Sequence, residues 1–387
     1  MFPPPSTAQS PAEDPGVLPL RFEGRAGPYL CLCLVNNALT LASFGFYGPW
    51  AKVRQRRYLY SHTFLAEHSF DYHASPWALL RSRLIVTAVF AGLALIPELF
   101  GFHLTTQAVL AVIVTFLPLG LVPWLVVQAL RFQSHCVSFR HLRFGFGHRT
   151  GPLVREALWL GILQVLVPLS FGLLHPYTAW RQRRFLIANR RYGDTPARFS
   201  ARPADFLRLH GRGLLVLVAV ALVLVPFWTL VVWWFSGLVP ELFGQMVAFG
   251  MVGSIPADLQ RRVGLGVLLL LMTLLLTLVL LQVWITYLEA GAARITWNQT
   301  SLGGLRIRCS WRWPDLLRLR LVHGLLVVFS LGVLEPWARI RGLRYRLGRL
   351  SVGPAALLQS FLGSNQEAVS AIGEEVADIY GLLPLDW

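Results

Sequence analysis

Long apolar stretches separated by arginine-rich segments dominate this chain. Four of them exceed the roughly 18 residues that predict a membrane-spanning helix, and they are Leu84–Phe102, Leu104–Leu130, Gly213–Val239 and Val263–Leu288. The third contains "WTLVVWWF" (228–235), which places aromatic residues towards its end, as is typical of a bilayer interface. The pattern predicts an integral membrane protein. A mean hydropathy of +0.54 and a charged fraction of only 14% agree with this prediction.

Three shorter apolar stretches, 30–48, 157–174 and 321–334, each lead into one copy of a second pattern. Aligned on proline, the copies read "GFYGPWAKVRQRRY" (45–58), "GLLHPYTAWRQRRF" (172–185) and "GVLEPWARIRGLRY" (332–345). Each has glycine four residues before the proline, arginine five and eight residues after it, and an aromatic residue nine after it. Because glycine ends helices and proline suits a first helical turn, each copy predicts a new helix that begins at the proline.

One face of each predicted helix combines aromatic and arginine side chains. It contains Trp50, Arg54, Arg57 and Tyr58 in the first copy, Tyr177, Arg181, Arg184 and Phe185 in the second, and Trp337, Arg341, Arg344 and Tyr345 in the third. Such a face suits the membrane interface, with rings at headgroup level and guanidinium groups reaching phosphates. The alternatives are that this face packs inside the protein, or that its arginines converge on an anionic ligand.

The positions of the arginines predict which segments share a side of the membrane. The short connection 101–103 has no arginine, whereas 175–212 has nine, so the positive-inside rule predicts that both long hairpins start and end in the cytoplasm. If the three shorter stretches also crossed the membrane, the arginine-rich ends of the second hairpin would lie on its non-cytoplasmic side. The third has only 14 residues, fewer than the roughly 20 that a span needs. Re-entrant helices with both ends cytoplasmic are therefore expected, and seven conventional spans are the alternative.

The predicted fold is an all-α integral membrane protein. It has four long transmembrane helices in two hairpins, three shorter repeated membrane-embedded helices, and short cytoplasmic segments, β-hairpin-like or irregular, at 62–72, 136–146, 190–200 and 299–309. The predicted domains are a disordered proline-rich tail (1–20), a membrane domain with internal repeats (21–130, 131–290 and 291–355) and an acidic cytoplasmic tail (356–387). That last tail contains five carboxylates and no lysine or arginine, and it is expected to dock on the arginine-rich loops.

Polar residues occur at matching depths in the short stretches, twelve or thirteen residues before each motif proline. They are Asn36, Asn37, Gln164 and His323, and Glu98 is the main acidic candidate at membrane depth. Polar side chains inside a membrane often mark a substrate pathway, although they also join neighbouring helices by hydrogen bonds. These five residues are candidates for either role.

The remaining composition excludes several classes of function. The net charge of +16 comes almost entirely from arginine, and Lys52 is the only lysine. In a membrane protein this charge predicts cytoplasmic loops and contact with anionic lipid headgroups rather than with nucleic acid. The chain has no catalytic signature such as HExxH, GxSxG or a phosphate-binding loop, so it is not expected to be an enzyme. Loop histidines could form a metal site, but their spacings are loose, and neither a metal nor another cofactor is predicted.

The segment "VNNALTLASFGFYGPWAKVRQRRYLYSHTFLAEHSFDYHASP" (35–76) resembles the start of the YjgN-like family of bacterial inner-membrane proteins. "LRFGF" (142–146), "EPWARIRGLRY" (335–345) and "EEVADIYGL" (374–382) are similar to the family's later motifs. The sequence departs from the family at "SHT" (61–63), where an asparagine usually precedes the threonine, and at "EH" (67–68), where Gly–His is typical. The resemblance implies a multi-pass inner-membrane protein of uncharacterised function and supplies no catalytic residues.

Two functions are therefore expected from the sequence. One is a small-molecule or lipid transporter with a polar site between the repeated embedded helices. The other is a non-transporting scaffold that binds anionic headgroups through the three arginine–aromatic helices. A void around which Asn36, Asn37, Gln164 and His323 face one another would favour the transporter, whereas separate, packed environments would favour the scaffold. Protein partners are not predicted.

Overall fold

Ten short strands form a closed barrel in the computed structural model, which describes residues 16–99, 121–249 and 257–354. The strands are β1 (Leu18–Phe22), β2 (Thr63–Leu65), β3 (His68–Tyr72), β4 (Val137–Phe139), β5 (Leu142–Phe146), β6 (Arg190–Tyr192), β7 (Thr195–Phe199), β8 (Thr300–Leu302), β9 (Leu305–Cys309) and β10 (Leu350–Gly353). Each strand pairs antiparallel with its neighbours in sequence, and β1 also pairs with β10. The closed ring therefore has no free edge.

Tight turns join the strands at one end of the barrel. In the hairpin of β4 and β5, Phe139 pairs with Leu142, and Arg140 and His141 between them have φ of +49° and +64°. Positive φ at both central residues is typical of the type I′ turn, whose twist matches that of the flanking strands. The turn of β8 and β9 uses Gly303 and Gly304 in the same positions. Local turn chemistry thus fixes the register of these hairpins.

Helices occupy the connections at the other end of the barrel. They are α1 (Ala26–Ala42), α2 (Gly48–Ser61), α3 (Pro76–Leu99), α4 (described over 121–135), α5 (Thr150–Leu169), α6 (His175–Ala188), α7 (Pro203–Phe249), α8 (Ala257–Asn298), α9 (Trp313–Phe329) and α10 (Glu335–Leu347). In sequence order these helices form consecutive pairs, and each pair connects two strands that are hydrogen-bonded neighbours in the barrel. The two ends of each pair are therefore held about one strand spacing apart, roughly 5 Å.

Aromatic side chains fill the interior of the barrel. Phe139 and Tyr192 are buried there with Leu65, and Phe70 and Phe144 pack against them. The rings of Phe70 and Phe139 have centroids 4.7 Å apart, and the Tyr192 hydroxyl donates a hydrogen bond of 2.8 Å to the Phe139 carbonyl. Burial raises the pKa of Tyr192 to about 12. The barrel interior around Phe139 and Tyr192 is thus a packed core.

Two compact units make up the chain. The first contains the barrel, α1–α6 and α10, and the second comprises residues 204–293 and 312–322, which include most of α7 and α8. Within the second unit the Trp228 indole donates to the Thr277 hydroxyl at 3.0 Å, and Arg262 pairs with Glu241 at 2.7 Å. The outward apolar side chains of these two helices are widely exposed, as a lipid-facing surface requires.

The predicted all-α fold with four long transmembrane helices is wrong. The described residues close a ten-strand barrel, and they contain three helices that are long and apolar enough to cross a membrane: Thr150–Leu169, Pro203–Gly244 and Ala257–Asn298. The first of these was predicted as a shorter embedded element. The predicted spans 84–102 and 104–130 fall partly on residues 100–120, which lie outside the described residues. Strands of three to five residues contribute too little to hydropathy to appear between long apolar helices.

The four stretches with hairpin-like patterns do form β-hairpins, at β2–β3, β4–β5, β6–β7 and β8–β9. Their pairing with one another into a single barrel joins distant residues and gives no local signal, so the sequence pattern predicts them only as separate segments. Residues 1–15 and 355–387 lie outside the described residues, so the two predicted tails stay predictions.

Replacing Phe139 by alanine should destabilise the barrel, because its ring is buried among four other aromatic side chains. We expect a loss of about 3–5 kcal/mol, measured by denaturant unfolding in detergent micelles. Phe44→Ala is the control, because Phe44 is 96% exposed and should change stability by less than about 0.5 kcal/mol. Equal effects of the two substitutions would contradict a packed barrel interior.

Candidate functional site: three arginine-bearing helical hairpins

The pairs α1–α2, α5–α6 and α9–α10, here called the short pairs, contain the three motif copies and share one turn. After each first helix the sequence reads "SFG", "SFG" or "SLG" (43–45, 170–172 and 330–332), and the central residue has φ of +51°, +50° and +50°. The glycine that follows has φ of +91°, +81° and +88°. Glycine is favoured at that position because a Cβ atom there would be strained.

A serine hydroxyl stabilises each of these turns in the same way. The backbone N–H of Tyr47 donates to the Ser43 hydroxyl oxygen at 2.9 Å, and Leu174 and Leu334 donate to Ser170 and Ser330 at 3.3 and 3.1 Å. The serine hydroxyl in turn donates to a carbonyl three residues earlier. Three separate segments thus adopt one hydrogen-bond pattern, which reverses the chain before the motif proline.

The tips of the three turns present apolar side chains outward. Phe44, Phe171 and Leu331 are 96%, 97% and 94% exposed. Apolar side chains this large and this exposed, repeated at equivalent positions of three hairpins, are typical of a surface that contacts lipid or another protein.

The polar candidates of the first helices lie in environments that differ from one residue to the next. Asn36 is fully buried and its side-chain amide donates to the Ala51 carbonyl of α2 at 3.5 Å, whereas its neighbour Asn37 is exposed. Gln164 is exposed, and His323 is half-buried with its ring 6.1 Å from that of Trp337. Asn36 and His323, thirteen residues before their motif prolines, thus face the second helix of their pair. Asn37 and Gln164, twelve residues before theirs, face outward. The side chain of Glu98 lies outside the described residues.

The second helices of the short pairs, α2, α6 and α10, are here called the motif helices. The residue four after the proline is buried in all three: Val53, Trp180 and Ile340. The arginines eight after the proline, Arg57, Arg184 and Arg344, are all exposed, as are Arg54 and Arg341 five after it, while Arg181 is half-buried. The predicted mixed face is therefore divided between an apolar edge that packs inward and an arginine edge that faces outward.

Neutral groups are the partners of the outward arginines in the described residues. Arg181 donates to the Tyr177 hydroxyl at 2.9 Å, and Arg344 donates to the Gly24 carbonyl at 2.9 Å. The guanidinium groups of Arg184 and Arg341 lie over the rings of Trp180 and Trp337 at 5.4 and 5.3 Å. Arg54 and Arg57 have no hydrogen bond or ion pair with a described residue. None of these six pairs with a carboxylate in the part of the chain that the structure describes.

The aromatic residues nine after the proline fix each motif helix to its surroundings. The Tyr58 hydroxyl donates to the Arg25 carbonyl at 2.9 Å, and the Phe185 ring packs on Phe146 with centroids 5.6 Å apart. The Tyr345 ring lies 5.0 Å below the guanidinium of Arg349. Trp50 directly follows the first motif proline. Its ring contacts that of Trp77 edge-on, with centroids 5.0 Å apart. These rings have structural partners, unlike the exposed Arg54 and Arg57.

A second cationic surface, which sequence reasoning missed, lies on the opposite side of α2. Tyr60 stacks on Tyr72 with centroids 5.5 Å apart, and Arg56 donates to the Tyr72 hydroxyl at 2.9 Å. Arg190 points the same way as the buried Tyr192 two residues later, into the barrel at its helical end. Burial lowers the pKa of the Arg190 guanidinium, and Tyr60 acts in the opposite direction.

Lys52, Arg56 and Tyr60 are spaced four residues apart, and this spacing is the signal that would have predicted a second face.

The loop histidines do not assemble into a metal site in the described residues, which contain no group of three or more histidine, cysteine, aspartate or glutamate side chains. His73 hydrogen-bonds the Ser138 hydroxyl at 2.8 Å. The His135 Nε2 atom lies 3.3 Å from a guanidinium nitrogen of Arg143. Burial lowers the pKa of His135, and the neighbouring positive charge of Arg143 lowers it further. These side chains have structural partners that differ from one histidine to the next.

The sequence matches a known protein family. Residues 17–379 match the family described as "Bacterial protein of unknown function (DUF898)", which is most of the chain. The chain belongs to this family. Its YjgN-like identity, predicted from the sequence, is confirmed, and so is an inner-membrane location. No solved structure matches the chain.

Curated relatives match only part of the chain. "Inner membrane protein YjgN" of Salmonella typhimurium is 34% identical over 129 residues, which is 33% of this chain and 31% of the relative. The proteins of the same name from Escherichia coli O157:H7 and K12 are 29% and 27% identical over 128 residues, 32% of this chain and 30% of each relative. The chain thus matches less than a third of the length of these relatives, and their names state a location without an activity.

Replacing Gly172 by alanine should destabilise the turn of the second short pair. Its φ of +81° is unfavourable for a residue with a Cβ atom, so we expect a cost of about 1–2 kcal/mol in unfolding experiments. Gly161→Ala is the matched control, because Gly161 is helical in α5 and an added Cβ would meet nothing within 4 Å. That substitution should be neutral or stabilising. A Gly172→Ala protein as stable as the Gly161→Ala protein would contradict the turn geometry.

Proposed function

We propose that this protein is a membrane-embedded scaffold that binds anionic phospholipid headgroups through its three short helical pairs. The observation that carries the proposal is the repeated combination of an exposed apolar tip with exposed arginines further along the returning helix. We treat the three pairs as copies of one functional unit, because the same turn and the same arginine positions occur in each.

The distance from each turn to the outward arginines fits one leaflet of a bilayer. From Pro49 to Arg57 the helix advances eight residues, or about 12 Å. Half of the hydrocarbon core measures about 15 Å. A pair whose tip reaches the bilayer centre would therefore hold Arg57, and its equivalents Arg184 and Arg344, close to the headgroups. Arg54 starts about 5 Å deeper, and its side chain is long enough to extend towards the same level.

The connections to the barrel support entry and return on one side. Both ends of each short pair join strands that are hydrogen-bonded neighbours, β1–β2, β5–β6 and β9–β10. A pair held in this way cannot leave its two ends in different compartments. Since the barrel and these ends are rich in arginine, we assign them to the cytoplasmic side, where anionic lipids also give the membrane surface a negative potential.

The chemistry of the outward arginines suits phosphate. Arg54 and Arg57 lack a described partner, and Arg184 and Arg341 are oriented by tryptophan rings. Guanidinium groups form charge-assisted, bidentate hydrogen bonds with phosphate. A transporter is less well supported, because Asn37 and Gln164 are exposed and Asn36 faces α2.

Anionic lipid selection tests the proposal. We expect native mass spectrometry of the purified protein, loaded with equal amounts of phosphatidylglycerol and phosphatidylcholine, to show preferential binding of phosphatidylglycerol. Replacing Arg57 and Arg184 by glutamine should reduce that preference several-fold, since each arginine near anionic headgroups contributes about 1 kcal/mol. Arg198→Gln with Arg306→Gln is the matched control, because it removes the same charge from exposed barrel strands. The proposal fails if the control pair reduces the preference as much as the motif pair.

Spin labels can measure how deeply the first short pair enters the bilayer. Cysteine replaces Phe44 or Arg57 one at a time, in a Cys31→Ser background because Cys31 is the exposed thiol among the described cysteines. Relative accessibility to oxygen and to a water-soluble nickel chelate should place the label at position 44 roughly 10–15 Å deeper than the label at position 57. Equal depths, or a water-exposed label at position 44, would contradict insertion of the tip.

A further inference from the structure

One side of the outer barrel wall is cationic. Side chains alternate between the interior and the outer wall along each strand, and Arg198 on β7 and Arg306 on β9 both point outward and are exposed. Arg198 pairs with Ser301 of β8, and Ser301 pairs with Arg306, so the two arginines lie in one row about 10 Å apart. Strands β7, β8 and β9 contain no aspartate or glutamate. We call Arg198 and Arg306 the cationic sector.

The two arginines of this sector differ from other outward arginines of the wall in their surroundings. Neither has a hydrogen bond or an ion pair with a described residue. The outward arginines of the neighbouring strands β5 and β6, Arg143 and Arg191, each contact a histidine ring instead. The cationic sector is therefore the part of the wall whose charges are directed at solvent.

The opposite side of the wall is acidic. Asp71 points outward from β3, and Glu67 lies in the turn between β2 and β3. Both carboxylates are exposed, and neither has an ion pair with a described residue. Strands β2, β3 and β4 contain no lysine or arginine. We call Glu67 and Asp71 the acidic sector, and β3 is five strands from β8 in either direction around the ring.

The charges of the two sectors lie at matching levels along the barrel. Strands β3, β7 and β9 all run from the tight turns towards the helices. Asp71 and Arg198 are each one residue before the helical ends of their strands, whereas Glu67 and Arg306 are both close to the turns. Copies that are inserted in one membrane in the same orientation therefore present opposite charges to each other at the same levels.

We propose that copies of this protein associate side by side, with the acidic sector of one copy bound to the cationic sector of the next. Asp71 pairs with Arg198, and Glu67 pairs with Arg306. The contact is heterologous, and because the two sectors lie on opposite sides of the barrel it extends into an open row of copies. This inference does not rest on lipid binding, since neither sector contains a motif arginine.

The membrane favours this contact in two ways. Exposed ion pairs are individually weak, but confinement of all copies to one bilayer raises their effective concentration. The net charge of +16 opposes association only at short range, because the Debye length at physiological salt is about 8 Å and more distant charges are largely screened. A second copy is the occupant that the described charges favour, because the complementary surface is on the protein itself.

Disulfide cross-linking in isolated native membranes tests the contact. Two copies with different tags are co-expressed in a Cys31→Ser background, because Cys31 is the exposed thiol among the described cysteines. One copy carries Asp71→Cys and the other carries Arg198→Cys. After oxidation we expect a mixed dimer, and neither copy should form a dimer when it is expressed alone. A single chain with both cysteines should form products larger than a dimer.

Arg21→Cys in place of Arg198→Cys is the matched control. Arg21 is also an exposed arginine one residue before the helical end of its strand, β1, but it lies outside the cationic sector. We expect severalfold less mixed dimer between Asp71→Cys and Arg21→Cys, because position 21 faces another side of the wall.

Charge reversal of the second pair tests whether ion pairing holds the copies together. Glu67→Arg in the Asp71→Cys copy, or Arg306→Glu in the Arg198→Cys copy, should each reduce the mixed dimer severalfold. Both substitutions together should restore it. Salt at about 0.5 M should reduce the mixed dimer without charge reversal, because it screens exposed ion pairs.

Four results would overturn the proposal. They are the absence of a mixed dimer, a link from position 71 to its own kind that is as strong as the link to position 198, an equally strong link in the Arg21→Cys control, and failure of the combined charge reversal to restore the product. All the substituted side chains are exposed, so each variant is expected to fold, and denaturant unfolding of each variant checks this.

Discussion

Closure of the barrel is the constraint on which the rest of the described first unit depends. A strand of three to five residues is too short to be stable alone, and each of these ten is held by antiparallel partners on both sides. Because the strands follow one another around the ring in sequence order, every connection on the helical side leaves one strand and returns to its neighbour. The helical pairs are therefore reversals of the chain, whatever the length of their apolar segments.

This constraint explains why the same turn occurs three times. A helix that leaves the barrel and must return to the adjacent strand needs a tight reversal, and the serine hydroxyl, the glycine with positive φ and the following proline supply it. The returning helix then packs one edge against the protein, through Val53 or its equivalents, and leaves the next edge outward. The arginine eight residues after the proline is exposed in all three copies for this geometric reason.

Charge distribution then separates two surfaces on a single helix. Arg56 and Arg57 are adjacent in sequence, yet one contacts Tyr72 near the barrel interior and the other is exposed without a described partner. A helix turns by about 100° per residue, so adjacent arginines serve different environments. The environment of each arginine on this helix is thus set by its angular position and not by its order in the sequence.

The sequence by itself determined the membrane class, the family, the three proline-centred motifs and the four local β-hairpins, because each depends on composition or on contacts between near neighbours. It did not determine the barrel, since the pairing of β1 with β10 joins residues more than 300 positions apart and leaves no local pattern. Nor did it separate Arg56 from Arg57 or Asn36 from Asn37. Only the tertiary structure decided which edge of each helix meets the barrel, because that depends on how closure of the ring orients the strands to which the helices are attached.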